Sequence, residues 1–101
     1  PDDESATAFT NVEVTFSSTA TYASDTSLLS NTYASGAENV GVRLLDNDEA
    51  NITLGSAKTV DLLPNSDTQT LHFKARMEVP TGTTATAGQV EANANYVLMY
   101  K

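Results

Sequence analysis

GQVEANANYVLMYK, residues Gly88 to Lys101, places Val90, Ala92, Ala94, Tyr96, Leu98 and Tyr100 on every second position. Gln89, Glu91, Asn93 and Asn95 lie between them, followed by Val97, Met99 and Lys101. Side chains alternate across a strand, so this spacing predicts one long strand with a continuous apolar face and a largely polar one. A glycine opens the segment and a tyrosine is its penultimate residue. A long amphipathic strand must be covered, because an open strand edge invites pairing with another chain.

The same alternation recurs upstream. In FTNVEVTF, from Phe9 to Phe16, Val12, Val14 and Phe16 share one face, opposite Asn11, Glu13 and Thr15. Asn39 to Asp46 puts Val40, Val42 and Leu44 on one face with Arg43 opposite, and the DNDEAN cluster that follows is rich in residues that close turns. Ile52 to Leu54 is expected as a short return strand stopped by Gly55, and a further short piece includes Val60, Leu62 and Leu63 before the Pro64-Asn65-Ser66-Asp67 turn. From Thr68 to Val79, Leu71, Phe73, Ala75, Met77 and Val79 alternate with His72, Lys74, Arg76 and Glu78, which predicts an interior strand ended by Pro80. The stretch from Ser17 to Glu38 is expected as short strands or irregular loop, with Tyr22, Leu28, Leu29 and Tyr33 tucked inward. Pro1 to Glu4 reads as an acidic, turn-like start. Short strands separated by turns, with no helical periodicity, describe an all-β sandwich.

At 101 residues the chain is one domain at most. Its net charge of −8 and its five basic residues, Arg43, Lys58, Lys74, Arg76 and Lys101, argue against nucleic acid and anionic membrane surfaces. No apolar run approaches the length of a membrane span, so direct membrane insertion is not expected. Cysteine is absent, which excludes a disulfide framework and thiolate metal sites within this sequence. The start at Pro1 suggests a processed or truncated product.

No cofactor or metal is expected. Asp46, Asp48 and Glu49 resemble part of a calcium loop, but the positions that would need glycine and glutamate hold Asn51 and Ala57, so a solvated turn is the better reading. His72 is the sole histidine and falls on the polar face of its strand. No serine sits in a G-x-S-x-G turn and no glycine-rich phosphate loop occurs, which leaves an enzyme without a required constellation. Asn51-Ile52-Thr53 fits the N-glycosylation pattern, a short motif that recurs by chance.

The terminal segment resembles the C-terminal motif of chaperone–usher pilus subunits, the pilins of type 1 and related fimbriae. Gly88, the apolar series Val90, Ala92, Ala94, Tyr96, Leu98, and the penultimate Tyr100 meet each element of that motif. NVGVRLLD with its polar turn and NITLG are similar to the middle of major shaft pilins. TQTLHFKARMEV and TGTTATAGQVEANA are similar to their last two strands and the connecting loop. The resemblance runs from Phe9 onward and is weakest between Ser17 and Glu38.

What the family implies is an incomplete immunoglobulin-like sandwich, completed by a donor strand from another chain. On that likeness residues 1–101 are the C-terminal portion of a single pilin domain, and the chain is a non-enzymatic subunit, most like the major one. The implied partners are neighbouring pilin subunits in a homopolymer, with a periplasmic chaperone and an outer-membrane usher during assembly. The implied destination is an extracellular fimbrium reached through the periplasm. Gly88, Val90, Ala92, Ala94, Tyr96, Leu98 and Tyr100 would line the acceptor groove, and the carboxylate of Lys101 would meet basic residues of the chaperone. The family's donor extension, its two early strands and their disulfide have no counterpart here, which fits a chain starting after the second family cysteine. The alternative is a carbohydrate-binding tip adhesin or minor adaptor of the same kind of pilus, for which Tyr22 and Tyr33 are the candidate sugar-stacking residues.

A sandwich short of a strand cannot close its core. These residues alone are therefore predicted not to form a stable monomer, and a single sharp, concentration-independent melt of the isolated chain would contradict this.

Overall fold

The computed structural model describes residues 11–61 and 70–101. The expected turn at Pro1 to Glu4, the Phe9 start of the first strand, Leu62, Leu63, the Pro64-Asn65-Ser66-Asp67 turn and the Thr68 start of the later strand lie outside them. The described residues form strands and no helix: β1 (Asn11–Ser17), β2 (Thr21–Tyr22), β3 (Asp25–Ser30), β4 (Gly41–Leu45), β5 (Ala57–Asp61), β6 (Lys74–Glu78) and β7 (Asn95–Tyr100). They make two antiparallel sheets, in the orders β5-β1-β7 and β2-β3-β4-β6. The chain is thus all-β and sandwich-like, consistent with an immunoglobulin-like fold. Phe16 of β1 meets Phe73, just ahead of β6, edge to face at 5.0 Å, so aromatic contact joins the two sheets.

Register carries the sequence pattern into three dimensions. Val12, Val14 and Phe16 stand opposite Tyr100, Leu98 and Tyr96, so the even-numbered faces of β1 and β7 coincide. On the other flank of β1, Val12 faces Val60 and Val14 faces Lys58. The Lys58 ammonium reaches Asp46 at 2.8 Å. Asp46 is buried; its Oδ1 also accepts the amides of Asp48 and Ala50, closing the DNDEAN turn from within. The left-handed position of that turn is taken by Glu49, not by an asparagine or aspartate.

On the second sheet the predicted faces are right and Val40 is buried, but burial within β4 does not follow the apolar face. Val42 and Leu44 share a face and are only half-buried, whereas Arg43 on the opposite face is 9% exposed. The reason is a carboxylate clamp. Arg43 Nε and Nη2 donate to the two oxygens of Glu78 at 3.2 and 3.0 Å, and Nη2 also donates to Asp25 Oδ2 at 2.6 Å. Arg76 stands directly across from Arg43 and donates to the same Glu78, at 2.7 Å, so Glu78 and Asp25 together offset an opposed like-charge pair.

Three further expectations change. Ile52 to Leu54 is not a strand: an isolated bridge joins Leu45 to Asn51, Ile52 donates to the Leu44 carbonyl, and the chain turns at Gly55. Even so, Ile52 is buried. The strand expected to be interior, β6, is an edge among the described strands, with Met77 and Val79 67% and 50% exposed. Alternation records which face is apolar, not whether a neighbour covers it. Of the residues expected to tuck inward, Leu28 and Leu29 are buried and Tyr22 is half-buried, but Tyr33 is exposed in the loop after β3.

Burial of Leu28 predicts that Leu28→Ala costs about 2–5 kcal/mol, measurable by urea unfolding of the full-length protein, and a negligible loss would refute its core role. The clamp predicts a pH dependence. Hydrogen bonds from Arg43 hold the Asp25 and Glu78 carboxyls below their ordinary range, and Lys58 does the same for Asp46. The unfolded chain therefore takes up protons first, so stability is level above about pH 5 and falls as acid protonates the folded carboxyls. Arg43→Met should flatten that acid slope in urea titrations. An unchanged slope would show that the clamp does not set it.

Candidate functional site

The terminal segment is built in two halves. The regular ladder covers only Asn95–Tyr100, shorter than the strand predicted from Gly88 to Lys101. Asn11 and Lys101 exchange both backbone bonds, at 3.2 and 2.8 Å. Antiparallel pairs alternate, so Met99, Val97 and Asn95 are the other bonded residues of this ladder. Tyr96 and Leu98 turn their peptide groups away from β1. Among the described residues no strand pairs with that outer edge of β7.

Ahead of the ladder, the segment is held without a strand partner. The Gln89 carbonyl accepts from the Ala37 amide at 3.0 Å, and the Glu91 carbonyl accepts from the Thr32 amide at 2.8 Å. Ser18 Oγ donates to the Asn93 carbonyl at 2.8 Å. The Asn31 carboxamide donates to the Gln89 carbonyl at 2.8 Å and accepts from the Glu91 amide at 2.9 Å. Gly88 makes the approach possible. Its φ is 152°, and a Cβ there would lie 2.6 Å from the Ala37 nitrogen, while one on Gly36 would strike the Gln89 carbonyl. Upstream, Thr86 and Glu38 pair through the Thr86 amide and hydroxyl, and Asn39 donates to the Thr84 carbonyl.

The even-numbered face opens onto a cleft of about 310 Å³ lined by Val14, Phe16, Leu71, Phe73, Tyr96 and Leu98. Val14 is buried, yet Tyr96, Leu98 and Tyr100 are 64, 44 and 61% exposed. Tyr96 tilts against Phe16 with ring centroids 6.3 Å apart. Val90 and Ala92 are half-buried and Ala94 is exposed, so the face narrows in side-chain size toward Gly88. Large apolar side chains are thus exposed along an edge with which no described strand pairs. Lys101 is exposed, with its ammonium 3.7 Å from Glu13, a contact worth little in solvent.

The site residues expected from sequence lie on one segment, with Tyr96, Leu98 and Tyr100 on the even-numbered face of β7 and Lys101 bonded to Asn11 at its end. The sequence reading missed Asn31, Thr32, Ser18 and Gly36, which hold that segment, and no local pattern marks them. The other candidates are elsewhere. His72 is exposed and lines a neighbouring cleft with Asp46, Lys58 and Asp61, which shares Leu71 and Phe73 with the first. Asp46 is occupied by its turn amides and Lys58. The Tyr22 hydroxyl donates to the Val40 carbonyl, and Tyr33 lies in the loop after β3.

Residues 4–101 match the family described as fimbrial protein. The chain is 50% identical over 102 residues to the fimbrial-like protein YbgD of Escherichia coli (strain K12), covering 99% of this chain and 54% of that protein. It is 37% identical over 101 residues to the fimbrial-like protein YgiL of the same organism, covering 97% and 55%. Against the S-fimbrial protein subunit SfaG of Escherichia coli the identity is 39% over 66 residues, covering 65% and 36%. The chain spans about half the length of the first two. It belongs to the fimbrial protein family.

Proposed function

We propose that this member of the fimbrial family is part of a structural, non-enzymatic subunit of a bacterial chaperone–usher fimbria that supports surface adhesion. It polymerises by donor-strand complementation, with Gly88, Val90, Ala92, Ala94, Tyr96, Leu98 and Tyr100 forming the acceptor groove. The observation that carries this reading is the outer edge of β7, where apolar side chains and outward peptide groups occur on the same residues. A strand laid along that edge satisfies both at once: main-chain bonds supply affinity, and alternate side chains enter the cleft. Burying each large aliphatic or aromatic residue contributes about 1.5–3 kcal/mol, so several together hold a partner firmly.

The partners are neighbouring copies of the subunit in a homopolymer. A periplasmic chaperone occupies the same edge earlier, with Lys101 among its contacts, and an outer-membrane usher takes part in assembly. The destination is an extracellular fimbrium reached through the periplasm.

Ala94→Arg and Tyr100→Asp each place a charge on the groove face, where it has no partner. Both should abolish chaperone-bound and polymeric forms of the full-length protein, scored by co-purification and by electron microscopy of filaments. Normal assembly by these variants would mean that the terminal segment is not the acceptor.

A further inference from the structure

Asn31 follows β3, far in sequence from the terminal segment, yet its side chain is fully engaged there. An asparagine carboxamide carries two N–H donors and one oxygen with two lone pairs. At Asn31 all are used: Nδ2 donates to the carbonyls of Ala37 and Gln89, at 2.9 and 2.8 Å, and Oδ1 accepts from the amides of Tyr33 and Glu91, at 3.0 and 2.9 Å. The bonds to Ala37 and Tyr33 are local and fix the side chain in its own loop. Those to Gln89 and Glu91 have the form a neighbouring strand would give. One N–H meets the carbonyl of a residue, and one C=O meets the amide two positions on, as in a ladder.

From this we propose that Asn31 is a positioning residue for strand acceptance, its carboxamide standing in for a backbone partner along Gln89 to Glu91. The inference rests on the proposed role of the terminal segment as an acceptor edge. Thr32 reinforces the hold, its hydroxyl donating to the Glu91 carbonyl at 3.2 Å and accepting from the Asn93 side-chain Nδ2 at 3.4 Å. The consequence is geometric. With Gln89 and Glu91 bonded inward, Val90 and Ala92 direct their peptide groups outward, in the same parity as Tyr96 and Leu98. The edge open to an incoming strand therefore continues beyond the β7 ladder toward Gly88. Asn31 is the side chain that binds this part of the segment at two residues, and it adds to the backbone bonds from Ala37 and Thr32.

The test uses the full-length protein that carries this chain and its own assembly as the probe. In the unmodified protein before assembly, amide hydrogen exchange should be slower at Glu91 than at Val90 and Ala92. Asn31→Ala, and the isosteric Asn31→Asp that loses both N–H donors, should slow filament formation about five- to tenfold, the expected effect of losing one or two hydrogen bonds. Glu91 should lose protection in Asn31→Ala and keep it in Asn31→Asp, whose carboxylate still accepts the Glu91 amide, while exchange at Val97 and Met99 in the β7 ladder stays as it was in both. That split separates positioning from a general loss of stability. Equal exchange at Glu91, Val90 and Ala92 in the unmodified protein would overturn the proposal, and this readout decides even where Asn31→Ala does not fold. Unchanged assembly rates in both variants, with Ala94→Arg still blocking assembly, would overturn the role of Asn31 alone. Normal assembly by Ala94→Arg would overturn the acceptor edge and this inference together.

Discussion

The backbone hydrogen bonds that hold the terminal segment fall on its odd-numbered residues, from Gln89 to Lys101, and all lie along one edge. This one-sidedness governs the rest of the molecule. It commits β7 to β1 and leaves Tyr96 and Leu98 with outward peptide groups and with side chains that line the cleft. Two different deficits then coincide on the same residues. A helix or a patch of side chains laid on the cleft would cover the apolar face but leave N–H and C=O groups without partners as water is excluded. An extended chain answers both, which is why strand addition suits this surface better than other modes of docking.

The opposite side of the four-stranded sheet is finished. Asp25, Arg43 and Glu78 join β3, β4 and β6 through charge-assisted bonds, with Arg76 sharing Glu78. These pairs are partly exposed, so their contribution to stability is modest, but their forked geometry fixes the spacing of three strands. The inner face of the same sheet carries Val42, Leu44, Met77 and Val79 and lacks comparable cover. A rigid outer face thus backs an open inner one, and the cleft keeps its shape without being filled.

Much of this was legible from sequence, and the limits have physical causes. Period-two alternation identified the even-numbered face of the terminal segment and the matching face of β1, and residue type identified the turn after Asp46, because each depends on near neighbours. Arg43 was placed on the correct face but not recognised as buried, since its partners Asp25 and Glu78 come from other strands. Alternation from Thr68 to Val79 points to an interior strand but carries no information about neighbours, and β6 is an edge among the described strands. Asn31 left no local trace at all. Its pairing with Gln89 and Glu91 spans most of the chain, and a polar residue in a polar loop has no periodicity to betray it.

Parity ties these observations together. A strand shifted by one residue exchanges its faces, so an acceptor edge works only if every part of it keeps the same parity. The ladder fixes that parity from Asn95 to Lys101 through β1, and Asn31 and Thr32 fix it again at Gln89 and Glu91. Ser18, which also receives the Ala20 amide, holds Asn93 between the two. Three unrelated anchors therefore agree on which residues face outward. Had any one of them bonded to an even-numbered residue, a bulge would have split the edge and turned one half of the apolar face away from the cleft. An incoming strand would then have matched Val90 to Ala94 or Tyr96 to Tyr100, but not both.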